Sequence, residues 1–142
     1  MALRVSVDTT FLIDLQRERS AGDDGGVQGA AHRFLRRLPD TELFLSAIAL
    51  GEFAEGFDSG DHPTVAAMRA GHTVVPVDDE TALVYARVTR QLRRRGELIG
   101  TNDLWIGCTS LRLGIPIVTA NLADFRCIDG LGIVPYRVRG EG

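Results

Sequence analysis

The chain reads as an α/β protein, a layer of mostly parallel strands covered by helices, on three observations. Short apolar runs alternate with segments of helical periodicity from end to end. The first run, Val5-Ser6-Val7, has the uncharged character of a strand buried on both faces. No repeat, linker or low-complexity stretch divides the 142 residues, a length suited to one domain with its own core.

The elements follow in order. Val5–Val7 is the first strand, and Thr9 to Arg17 the helix after it. Ser20 to Gly29 holds four glycines beside Asp23 and Asp24 and reads as a flexible loop. Ala30 to Leu38 is helical, with Phe34, Leu35 and Leu38 on one face and Pro39 as its stop. Leu43–Leu45 is the second strand, and Ser46 is a cap for a helix running to about Phe57. Pro63 suits the first turn of a short helix through Ala70, and Thr73–Val77 is the third strand. Asp78 caps a long helix to Arg95 that Gly96 stops, with Val84, Val88 and Leu92 at helical spacing. Asn102–Leu113 is a further helix ending at Gly114, Ile115–Thr119 the fourth strand and Gly132–Pro135 the fifth. Arg137–Gly142 reads as a short flexible tail of a single domain spanning 1–142.

Composition narrows the function classes. Apolar residues make up 44% and charged residues 25%, ordinary globular usage. Two cysteines are too few for a disulfide framework, and no apolar run reaches the ~18 residues of a membrane span. A cytoplasmic protein with no membrane partner is expected. The net charge of −3 argues against a broad basic surface, though a net value does not fix where charges lie. All 16 basic residues are arginine. Enzymes that place a lysine on phosphate, P-loop NTPases among them, are therefore excluded, as are receiver domains and haloacid-dehalogenase-like phosphatases. No G-x-G-x-x-G follows the first strand, which removes support for a dinucleotide enzyme.

Four acids carry the chemistry: Asp8, Glu52, Asp103 and Asp124. Asp8 ends the first apolar run, Glu52 interrupts Ile48–Phe53, Asp103 abuts Leu104-Trp105-Ile106, and Asp124 lies just past Ile117–Thr119. Each has a bland reading. Asp8 could cap a helix, although Thr9 and Thr10 could serve equally. Glu52 could be solvated with Glu55, Asp103 could answer a helix dipole, and Asp124 could cap a turn. Together they suggest oxygen ligands for a hard divalent cation, because carboxylates beside apolar sequence are costly unless paired or bound. The other reactive side chains do not compete. His32, His62 and His72 lack metal-ligand spacing, Cys108 reads as core, and Trp105 reads as packing.

The segments Val7-Asp8-Thr9-Thr10, Ser46–Glu52, Asn102–Ile106 and Val118–Phe125 resemble, in order and spacing, the four motifs of PIN-domain ribonucleases, especially VapC-type toxins of toxin–antitoxin pairs. The resemblance runs from Val5 to Leu131. It departs at Gly51, where relatives usually carry alanine, and at Asn121, where some carry an acid. It implies a central parallel sheet of about five strands with helices on both sides. It further implies Mg²⁺- or Mn²⁺-dependent cleavage of RNA, a VapB-like antitoxin as partner, and a homodimer. Asp8 and Asp103 are then the primary metal ligands. Glu52 orients or deprotonates water, Asp124 fills the fourth acidic position, and Thr9, Thr119 and Asn121 support them. Phe11, Leu12, Leu15, Phe34, Leu35 and Leu38 look like more apolar surface than one sheet face needs, in keeping with a dimer. The alternative is a catalytically inactive PIN-like module that binds a partner or RNA.

Overall fold

A computed structural model describes residues 3–20 and 29–137. The chain runs β1 (Arg4–Val7), α1 (Thr9–Ser20), α2 (Ala30–Arg37), β2 (Glu42–Ser46), α3 (Ala47–Ala54), α4 (Pro63–Ala70) and β3 (Thr73–Val75). It continues through α5 (Asp79–Arg94), α6 (Thr101–Leu113), β4 (Ile117–Thr119), α7 (Leu122–Phe125) and β5 (Ile133–Pro135). All five strands are parallel, in the order β3-β2-β1-β4-β5. The chain builds outward from β1 to β3 on one side, then crosses to lay β4 and β5 on the other. The direction of travel reverses between β1 and β4, which sit side by side with Val7 opposite Val118. Ligands of open parallel sheets bind beyond the carboxyl ends of the strands at this reversal. Asp8 follows the end of β1 and Thr119 ends β4, so the sheet brings both to one point.

The core explains why these segments pair. Val5, Val7, Leu45, Ile117 and Val118 are fully buried, and Phe11, Leu12 and Phe125 close over them from the helices. Phe11 meets Phe34 and Tyr136 edge-on, with ring centroids 5.9 and 4.9 Å apart. Phe11, Leu12, Leu15 and Phe34 are thus buried within one chain, Leu35 is packed against the same core, and Leu38 is 37% exposed. The apolar surplus expected on α1 and α2 does not exist, and with it goes that support for a homodimer.

Element ends follow local chemistry. Ser46 and Asp78 cap α3 and α5 as expected, and Gly96 and Gly114 stop their helices with φ of 68° and 71°. The helix expected to reach Phe57 stops at Ala54. The chain then turns through Gly56, seating Phe57 against Phe53 and His62. β3 ends at Val75 because Pro76 has no amide to continue the ladder, and β4 starts after Pro116 for the same reason. α7 was not expected, its four residues being too few for a periodicity to show. The glycine-rich loop, as residues 21–28, and the tail, as residues 138–142, lie outside the described residues. Among the described residues no helix is long and apolar enough to cross a membrane.

One close approach holds the site's two late elements together. A Cβ on Gly107 of α6 would stand 2.6 Å from Ile128 Cδ1 and 3.3 Å from the Phe125 ring. Ile128 can swing away from a single methyl, but a branched side chain would also push Phe125. Gly107→Val is expected to destabilise the fold by about 1–3 kcal/mol, the usual cost of overpacking. Thermal melts check this; a variant as stable as wild type would show that α7 yields freely.

Candidate active site

Asp8 is 2% exposed and held on three sides. Its Oδ1 accepts from the Thr10 hydroxyl at 2.7 Å and the Phe11 amide at 3.1 Å, and its Oδ2 accepts from the Thr119 hydroxyl. Asp8 therefore does cap α1, and Thr9 and Thr10 do not replace it there. Thr10 serves Asp8 itself, while the Thr9 hydroxyl points across to Glu52 Oε1 at 2.7 Å. Capping and a site role are compatible, because capping occupies mainly one oxygen. Burial raises the Asp8 pKa, against the donors from Thr119, Thr10 and Phe11.

Glu52 stands on α3, its other oxygen accepting from Asn102 Nδ2 at 3.0 Å. Asn102 is the amide that orients Glu52 from the start of α6. Asp103 follows it. Asn121 places its side-chain amide between Asp103 Oδ2 and Asp124 Oδ2, 3.2 Å from each. The Asn121 backbone amide in turn donates to the Thr119 hydroxyl at 2.8 Å. One asparagine thus ties β4 to the two later acids, with Asn121 as donor and Asp124 as acceptor.

The four acids share one electrostatic environment. Asp103 has its pKa raised to about 6, first by desolvation and then by the negative charges of Glu52, Asp8 and Asp124, with the Asn121 bond opposing. That unrelieved negative potential is what a cation would neutralise. The donor set is entirely oxygen, which suits Mg²⁺ or Mn²⁺ over softer metals. Among the described residues, no three Asp, Glu, His or Cys side chains are gathered closely enough to hold a metal ion by themselves. Mg²⁺ commonly takes one or two carboxylates, with waters and substrate phosphates completing its shell, so an open arrangement fits it. An open cavity of about 340 Å³ lies at the mouth, lined by Glu52, Gly100, Thr101, Asn102 and Asp103.

A pH-dependent stability follows. In the metal-free protein the folded state binds the Asp103 proton more tightly than the unfolded chain, whose pKa is near 3.8. Its ionisation therefore weakens the fold as pH rises from about 4 through about 6. Asp103→Asn should remove that component, raising the melting temperature in chelator at pH 7 by about 2–6 °C. The gain should shrink toward pH 4. Melts of both proteins across this range test it, and an equal gain at every pH would contradict it.

The remaining reactive side chains are structural. Cys108 is buried, its thiol pushed up to about 12 by desolvation. Trp105 stacks on Tyr85 at 3.9 Å, His62 caps α4, and His32 pairs with Glu18 at 2.8 Å.

The chain is similar to several known proteins. "Ribonuclease VapC1" of Haemophilus influenzae is 28% identical over 130 residues, covering 88% of this chain and 92% of that protein. "Ribonuclease VapC1" of Methanocaldococcus jannaschii is 27% identical, covering 94% and 87%. Among solved structures, VapBC-1 from nontypeable Haemophilus influenzae superposes with a TM-score of 0.74 at 25% identity, covering 94% of this chain and 98% of that one. VapBC2 from Rickettsia felis, bound to a DNA fragment from its promoter, gives 0.78 at 17% identity, covering 95% and 100%. The PIN domain model matches residues 5–131, and the chain belongs to the PIN-domain family.

Proposed function

We propose that this protein is a Mg²⁺- or Mn²⁺-dependent endoribonuclease and the toxin of a toxin–antitoxin pair. The observation that carries the reading is that Thr9, Asn102, Thr119 and Asn121 link Asp8, Glu52, Asp103 and Asp124 to one end of the sheet, where burial and then the charges of the other three raise the Asp103 pKa. Asp8 and Asp103 would hold the cation. When bound, it would lower the pKa of a water and offset charge developing on the phosphate. Glu52, oriented by Thr9 and Asn102, accepts the water's proton. Thr10 and Thr119 fix the Asp8 carboxylate, and Asn121 fixes Asp103 and Asp124. Whether one cation or two is engaged, Asp124 supplies the remaining negative charge at that end. An inactive binding module would have no need of an Asp103 held against burial and neighbouring charge.

The toxin role rests on relatives named VapC ribonucleases and on structural neighbours solved as VapBC complexes. The partner is then a VapB-like antitoxin, and a homodimer remains part of the proposal by the same resemblance. Purified protein should cut RNA with added Mg²⁺ or Mn²⁺, stop in chelator, and resume when metal is restored. Cutting that continues in metal-free chelator would overturn the metal reading. Expression alone should arrest growth, and co-expression of the reading frame beside its gene should relieve the arrest; an arrest unchanged by that partner would overturn the pairing.

A further inference from the structure

We propose that a groove beside the carboxylates takes a nucleobase of the bound RNA, next to the cleaved phosphodiester. The inference rests on the ribonuclease reading and adds the ligand class of a second subsite. The groove encloses about 160 Å³ between the second half of α5 and the segment leading into α6, with Tyr85, Thr89, Leu92, Arg93, Leu98 and Thr101 in its lining. Thr101 lines both the groove and the acidic cavity, so the two adjoin at that residue. Asn102 and Asp103 follow it directly in α6.

Its chemistry suits a flat, mostly apolar group with polar edges. Leu92 and Ile99 form apolar walls, and Leu98, 90% exposed, stands at the rim uncovered by any of the described residues. The Tyr85 ring is fixed by its stack on Trp105, interplanar angle 12°, and so offers a pre-oriented aromatic edge. Single-stranded RNA is held largely through such aromatic and apolar contacts to splayed bases. The Thr89 hydroxyl is shielded from solvent and has no hydrogen-bond partner. As a lining residue without an internal partner, it can meet the polar edge of a base.

Charge points the same way. The acidic cavity repels phosphate, so a strand crossing it needs a nearby cation. Arg93 is exposed at the groove and has no ion-pair partner among the described residues. Glu97, the one acid in the lining, is offset by Arg95 at 3.4 Å.

The test compares binding of fluorescent decamers of uridine and of adenosine with an abasic ribose-phosphate decamer, with Ca²⁺ present to screen the carboxylates. Wild type should bind at least one base-bearing decamer roughly 10-fold more tightly than the abasic one. Leu98→Ala and Thr89→Val should lose most of that gain. Both should fold, since one trims an exposed side chain and the other removes an unpartnered hydroxyl. Arg93→Ala should weaken all three decamers alike. Equal binding of abasic and base-bearing decamers by wild type, or a gain untouched in both Leu98→Ala and Thr89→Val, overturns the proposal. So does a Leu98→Ala protein that loses dimer mass in light scattering while keeping the gain, because the rim then serves a second copy. Cleavage of RNA is read separately. A base gain without cleavage of any RNA supports the subsite and overturns the nuclease reading, whereas cleavage without a base gain does the reverse.

Discussion

Asp8→Asn is expected to lower the cleavage rate by about 10³-fold or more while the protein stays folded. A first carboxylate ligand contributes several kcal/mol of charge stabilisation through the cation it holds, and each ~1.4 kcal/mol is a factor of ten. The fold survives because the amide has the carboxylate's shape. Its oxygen can still accept from the Phe11 amide and the Thr10 hydroxyl, keeping the α1 cap. Its nitrogen would face Thr119, whose hydroxyl oxygen can accept it. Burial already works against the Asp8 charge, so its removal does not weaken the apo protein. Single-turnover cleavage beside a thermal melt checks both halves. An active, folded Asp8→Asn protein would reduce Asp8 to a helix cap.

Glu52→Gln should differ in kind. Glutamine keeps the reach to Thr9 and, with the Asn102 amide turned over, to Asn102 as well, but it cannot take a proton. The chemical step should slow by roughly 10²–10⁴-fold, the usual worth of a positioned general base. RNA binding should stay near wild type. Cleavage at the wild-type rate would make Glu52 a half-solvated helix residue held by its neighbours and nothing more.

The features legible in the sequence were those fixed by nearby residues. Ser46 and Asp78 as caps, and Gly96 and Gly114 as stops, depend on chemistry within one turn of helix, and each stands where expected. The five strands announced themselves as apolar runs, though prolines at 76 and 116 trimmed two of them. What lay hidden depended on contacts between distant positions. The side chain of Asn102 looks like any helix-start amide until Glu52, 50 residues earlier, is brought to it. Thr10 looks like a spare cap until its hydroxyl is seen donating to the Asp8 carboxylate. The apolar faces of α1 and α2 looked excessive because the sequence does not show Tyr136 packing edge-on against Phe11 from the other end of the chain. The four acids were legible as a set only through their order and spacing; the sheet order that brings Asp8 beside Thr119 is not written locally anywhere.

If Asp8 and Asp103 hold a divalent cation while Glu52 acts on water, calorimetric titration of Mn²⁺ separates the three residues. Wild type is expected to bind saturably, Glu52→Gln nearly as well, and Asp8→Asn and Asp103→Asn not at all. Mn²⁺ binding that survives unchanged in both aspartate variants, or is absent from wild type at millimolar metal, would show that these carboxylates are not its ligands.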